Sequence, residues 1–298
     1  MKRFFSTILA VLMLASALVG CGDDKKPTQN NDGFLNVYFF DVGQADSSLL
    51  LFPDDTVMLI DAGNKADGEE IADFIDDLNI DTIDYFVCTH PHEDHIGGAL
   101  DIFDEFKVLN VCVPNIDDDF LPDTLIYKNL VTAIEKEGSR EIKLSGGTAV
   151  IEKEHYNVTA LSPSKSSVFS DMNDYSLTLL VNCFTNTILF TGDAEAPAEL
   201  DMLDSGINLD ADILKVGHHG SGNSSTEDFL KAVTPQVSVI SCGEGNTYGH
   251  PHDDAVKRLG KIGSKVFRTD TVGTVIAKCH NGGFNIETDS SIELDGSR

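Results

Sequence analysis

Thr89-His90-Pro91-His92-Glu93-Asp94-His95-Ile96-Gly97-Gly98 is the stretch from which the fold can be read. It follows the apolar run Tyr85-Phe86-Val87-Cys88, which has the composition of a buried strand. Packing does not explain so dense a group of histidines beside an aspartate. Imidazole and carboxylate are the ligands of borderline cations such as zinc or manganese. A loop leaving a strand can turn His90 and His92 towards one ion while Asp94 and His95 face a second. Pro91 stiffens the turn, and Gly97-Gly98 lets backbones approach closely before the next helix.

Further strand-like runs lie on both sides of this loop: Leu35–Phe40, Ser48–Phe52, Val57–Asp61, Val108–Val113, Val158–Leu161, Ser176–Cys183, Thr187–Thr191, Asp212–Val216, Val237–Ser241, Lys265–Arg268 and Thr274–Lys278. Helical patterns interleave. Ile71, Phe74, Ile75 and Leu78 form one apolar stripe at i, i+3, i+4, i+7 spacing over Glu69–Leu78, and Leu125–Glu137, Ala196–Leu203 and Asp253–Leu259 also read as helices. Hairpin-like strands first and alternating strands and helices later predict two mixed sheets packed together with helices outside.

With these motifs in place, the chain resembles the metallo-β-lactamase superfamily, whose signature is His-x-His-x-Asp-His after a strand. The resemblance implies an α/β, four-layer αββα sandwich in a single domain. Val57-Met58-Leu59-Ile60-Asp61-Ala62-Gly63 matches the family's upstream strand, so Asp61 is expected to orient the histidine loop. Leu189-Phe190-Thr191-Gly192-Asp193 matches the strand whose terminal aspartate bridges both ions. Ile213-Leu214-Lys215-Val216-Gly217-His218-His219-Gly220-Ser221 matches the strand ending in the last histidine ligand of the second ion. Either histidine of the pair fits that place; His218 is the preferred ligand, with His219 left behind the ligands or facing substrate. The implied metal set is His90, His92, Asp94, His95, Asp193 and His218, holding two divalent ions, zinc first and manganese as the alternative.

The match narrows further. Asp41-Val42-Gly43-Gln44-Ala45-Asp46-Ser47, the His218–Ser221 run, Asn246-Thr247-Tyr248-Gly249-His250-Pro251 and Arg268-Thr269-Asp270-Thr271-Val272-Gly273 resemble the extracellular hydrolase domain of ComEC-type DNA-uptake proteins. Ala45 stands where that group has glycine, which touches loop geometry. No multi-helix channel accompanies the motifs in this sequence, so the expectation is shared chemistry without DNA translocation. The separate histidine that completes metal 1 in β-lactamases and glyoxalases has no counterpart before Asp193. His155 sits in a strand-like run and reads as packed or solvated, and Asn173-Asp174-Tyr175-Ser176 occupies the expected place. Metal 1 would keep open positions, as a catalytic site requires.

Residues 1–20 read as a leader: Lys2 and Arg3, then an apolar stretch from Phe4 to Val19. Leu18-Val19-Gly20-Cys21 resembles the lipobox of bacterial lipoproteins, predicting a lipidated Cys21 and extracytoplasmic membrane attachment. Residues 21–33 read as a polar tether reaching on the order of 20 Å, and residues 34–298 as the hydrolase domain. The formal net charge is −28, which disfavours generic binding to polyanions, since that depends on Lys and Arg at phosphates. The six cysteines include no Cys-x-x-Cys, and Cys88, Cys112, Cys183 and Cys242 sit in apolar runs as small hydrophobes.

Two cations about 3.5–4 Å apart supply an activated water and clamp the attacking and leaving oxygens of a displacement, chemistry suited to phosphodiesters. Asp94, His219 and His250 are the expected catalytic group, His250 either protonating a leaving alkoxide or holding a phosphoryl oxygen. His252 reads as a surface residue. The expected activity is a phosphodiesterase acting on nucleic acid or an envelope polymer. Hydrolysis of a β-lactam or thioester, and a non-catalytic metal-dependent binding role, are the alternatives.

Overall fold

A computed structural model describes residues 33–289. The expected leader, Cys21 and nearly all of the expected tether lie outside the described residues.

One sheet takes its first strands from β1 (Leu35–Phe39), β2 (Ser48–Leu51), β3 (Val57–Ile60), β4 (Thr82–Val87), β5 (Lys107–Pro114) and β6 (Arg140–Leu144). The chain then builds a second sheet from β7 (Thr148–Glu152), β8 (Tyr156–Ser162), β9 (Thr178–Cys183), β10 (Asn186–Phe190), β11 (Ile213–Lys215), β12 (Val237–Ile240) and β13 (Lys265–Arg268). It returns to the first with β14 (Val275–His280) and β15 (Gly283–Thr288). The orders are β15-β14-β1-β2-β3-β4-β5-β6 and β13-β12-β11-β10-β9-β8-β7.

The layers follow from side-chain alternation. Leu50 and Met58 face the second sheet, in one apolar cluster with Val158, Leu179, Val181 and Ile213. Their neighbours Leu49, Leu51, Val57 and Leu59 point the other way, onto Ile71, Ile75, Ile102 and Leu130 from outer helices. The second sheet does the same: Leu189, Leu214 and Ile240 cover Met202, Phe229 and Leu259. A period of two on strands buried on both faces therefore gives helix, sheet, sheet, helix. Phe39 and Phe190 stack across the middle with centroids 5.7 Å apart, and fully burying such a side chain contributes about 1.5–3 kcal/mol. The four-layer sandwich is the architecture that the motifs imply.

The sequence patterns miss β6, β7 and β15 and the helix Glu227–Val233, and they give no range for the helix that follows Gly97-Gly98, which runs Ala99–Glu105. His155 lies in the exposed turn between β7 and β8 rather than in a strand. No helix among the described residues is long and apolar enough to cross a membrane.

Candidate metal centre

The histidine loop begins where β4 ends, and Asp61, just beyond β3, locks it. Asp61 Oδ1 accepts the Thr89 N–H at 2.8 Å. Its Oδ2 accepts the Thr89 hydroxyl at 2.7 Å and His95 Nδ1 at 2.8 Å. Asp61 is buried and has φ +59°, a strained conformation for a residue with a side chain. Donating from Nδ1 leaves the His95 Nε2 lone pair facing the site. Behind the loop, a Cβ on Gly98 would stand 2.3 Å from the Ala62 carbonyl oxygen, so only glycine fits.

Asp193, just beyond β10, stands at the centre. Its N–H donates to Ser176 Oγ at 2.9 Å. His95 Nε2 and His219 Nε2 lie 3.3 and 3.7 Å from Asp193 Oδ1, and His219 Nε2 lies 3.3 Å from Asp94 Oδ2. One ligand atom from each of Asp94, His95, Asp193 and His219 falls within 4.8 Å of the other three. Ligands about 2.0–2.2 Å from one tetrahedral ion would stand roughly 3.3–3.6 Å apart. His95 Nε2, His219 Nε2 and Asp193 Oδ1 are buried without hydrogen-bond partners. Such a convergence is costly unless something binds the atoms. The donor set fits a divalent cation.

The other carboxylate oxygen, Asp193 Oδ2, faces a second group. His90 Nε2 lies 3.9 Å from it and 3.0 Å from His92 Nδ1. His90 Nδ1 is 3.3 Å from both Thr89 Oγ1 and Ser176 Oγ. Asn173 and Ser176 belong to the segment that stands where a third histidine was sought. Asn173 Oδ1 is buried without a partner, and Asn173 lines the cleft.

The structure brings His219, rather than the preferred His218, into the donor cluster. His218 and His219 have φ of 48° and 53°, two consecutive left-handed residues that turn the chain sharply after β11. His219 points inward, with Nδ1 donating to the Ser241 carbonyl at 3.1 Å and Nε2 joining the cluster. His218 instead donates from Nδ1 to Glu195 Oε1 at 2.8 Å and stands partly exposed on the cleft wall, its Nε2 3.6 Å from Asp193 Oδ2.

Asp46 and Lys215, to which the motifs assign no role, also belong to the site. Lys215 Nζ lies 2.7 Å from Asp46 Oδ2, both side chains almost wholly out of water. Asp46 Oδ1 lies 3.5 Å from His219 Nδ1. Burial alone would raise the Asp46 pKa, but Lys215 and His219 hold it well below the usual carboxylate range. Its N–H donates to the Asp94 carbonyl at 3.1 Å and its carbonyl accepts from Gly63 at 2.9 Å, so it also fastens the loops.

The cleft above is open, about 580 Å³, and lined by Gln44, Asn64, Asn173, Tyr248 and the site's histidines and acids, with no Lys or Arg among the lining residues. His250 stands on its wall, its Nδ1 3.4 Å from Gln44 Nε2. Burial first, then the charges of His218, His219 and His252, push the His250 pKa down to about 4. A pKa that low favours the neutral imidazole at pH 7. His252 is exposed, and its Nδ1 accepts the Gly222 N–H at 2.8 Å.

Fold, signature loop and convergent donors define a metallohydrolase of one superfamily, and residues 40–244 match the family model described as the metallo-beta-lactamase superfamily. The chain belongs to that family. It is 30% identical over 266 residues to ComE operon protein 3 of Bacillus subtilis (strain 168), covering 84% of this chain and 33% of that protein. It is 29% identical over 243 residues to Recombination protein 2 of Haemophilus influenzae, covering 79% and 28%. The chain thus spans about a third of these relatives' length. Among solved structures, the CmlA beta-hydroxylase superposes with a TM-score of 0.52 at 14% identity, over 79% of this chain and 52% of that one, a likeness of fold.

Proposed function

We propose that this chain is a phosphodiesterase with a binuclear centre: His90, His92 and Asp193 for one ion, Asp94, His95, His219 and Asp193 for the other. The observation that carries this reading is the placement of Asp193, whose two oxygens face separate histidine groups. Divalent ions bound there would activate water near neutral pH and offset charge on a phosphoryl group. Zinc fits the imidazole-rich donors, and manganese the carboxylates.

The protein's own groups position the substrate. Asp61, Ser241 and Glu195 fix the rings of His95, His219 and His218 by accepting from Nδ1. Neutral His250, braced by Gln44, offers a hydrogen bond to a phosphoryl oxygen. The lack of Lys and Arg along the cleft suits one phosphodiester rather than a long tract of phosphates. The chain is further proposed to work outside the cytoplasm, held to a membrane through Cys21.

The test is turnover by metal-loaded protein of bis(p-nitrophenyl) phosphate against nitrocefin. Hydrolysis of the phosphodiester with negligible nitrocefin turnover is expected. Fast nitrocefin turnover beside an inert phosphodiester overturns the reading.

A further inference from the structure

Tyr248 is an aromatic side chain held out in water at the mouth of the cleft. It is 68% exposed and still lines the same space as Asp193, His218 and His250. Its turn is braced by one side chain. Asn246 Oδ1 accepts the N–H groups of Tyr248 at 3.1 Å and His250 at 3.0 Å. Asn246 Nδ2 donates to the carbonyls of Gly243 and His250. Exposed apolar surface on a pinned turn beside a reaction centre is a feature of a binding site.

The rings form a series leading inward. Tyr248 lies 5.7 Å from His250 at an interplanar angle of 24°, and His250 lies 6.3 Å from His219 at 25°. Near-parallel faces at these separations suit offset stacking. They do not form the several-sided aromatic box that holds a quaternary ammonium. With no Lys or Arg on the lining, affinity beyond the scissile group must come from something other than further phosphates. A flat heteroaromatic base supplies it, because every base presents a π-face.

We propose that Tyr248 is a stacking subsite for a nucleobase attached to the scissile phosphodiester, making the substrate a nucleotide ester. This rests on the phosphodiesterase reading and adds the identity of one substituent. Two arms of one experiment separate the claims, both on metal-loaded full chain. The first compares thymidine 5′-(p-nitrophenyl phosphate) with methyl p-nitrophenyl phosphate, which share a leaving group and differ by the nucleoside. Wild type should prefer the thymidine ester. Tyr248→Ala should lower that preference on the order of tenfold, through KM, and Tyr248→Phe should keep it. A preference unchanged in Tyr248→Ala overturns the subsite. Turnover of neither ester overturns the phosphodiesterase reading, and calorimetry then decides the subsite alone. Thymidine 5′-monophosphate should bind more tightly than ribose 5-phosphate, a difference lost in Tyr248→Ala. Equal binding of the two by wild type, or a difference that survives the substitution, overturns the subsite.

Discussion

Lys215 and Asp46 form an ion pair at 2.7 Å directly behind His219, on the side away from the cleft. Breaking such a pair leaves an unmatched charge in a dry place, which costs about 3–5 kcal/mol. Lys215→Met should therefore destabilise the protein by about that much, and Lys215→Met with Asp46→Leu by less, measured by urea unfolding. Because the folded Asp46 pKa is depressed, its contribution is present above the unfolded value of about 3.9 and fades as pH falls below it. A Lys215→Met protein as stable as wild type at pH 7 would contradict this role.

Asp61 accepts from both Thr89 and His95 and thereby sets the ring that carries Nε2 to the centre. Replacing such an orienting partner commonly weakens metal binding about 10–100-fold. Asp61→Asn should show that loss in chelator competition while circular dichroism stays native. Unaltered affinity would mean that the loop is held by other contacts.

Metal uptake should depend on pH. Although burial opposes it, Asp193 and Asp46 raise the His219 pKa to about 10 in the metal-free protein, and Asp193 and Asp61 raise that of His95. A cation must displace those protons. Affinity should therefore rise with pH between about 6 and 9, by about tenfold per unit for each proton released. Proton release in buffers of differing ionisation enthalpy checks this, and a flat profile would refute it.

Metal content should separate Asp193 from His155. Asp193→Ala removes the carboxylate shared by both groups and should reduce both occupancies, whereas His155→Ala, in an exposed turn, should change neither. Elemental analysis after reloading decides. One ion at most in reloaded wild type would defeat the binuclear assignment.

For the leader, Cys21→Ser should abolish lipid labelling and leave uncleaved precursor or soluble protein. Labelling that persists in this variant would remove the lipoprotein expectation.

Much of the fold was legible because strands buried on both faces leave continuous apolar runs such as Val57–Ile60. β6 and β7 were not, because Arg140, Glu141 and Lys143 break up the edge strand β6, and β7 offers only the short apolar run Ala149-Val150-Ile151 before Glu152. The His90–His95 cluster is visible since its candidate donors are neighbours in sequence. Choosing between His218 and His219 needed the backbone: two adjacent side chains diverge, and only the left-handed pair decides which turns inward. Lys215 in an apolar strand and Asp46 in a loop gave no hint of each other, since their pairing is made by the docking of the two sheets.

That docking bears on how the centre comes into being. His90, His92, Asp94 and His95 follow a strand of the first sheet, whereas Asp193 and His219 follow strands of the second. The centre is a seam between two halves, and neither half holds it alone. Any cation bound there acts as a rivet, adding RT ln(1 + [M]/Kd) to the cohesion of the sandwich, about 2.7 kcal/mol at a hundredfold excess over Kd. Availability of the ion thus governs how readily the sheets part as well as whether chemistry occurs between them.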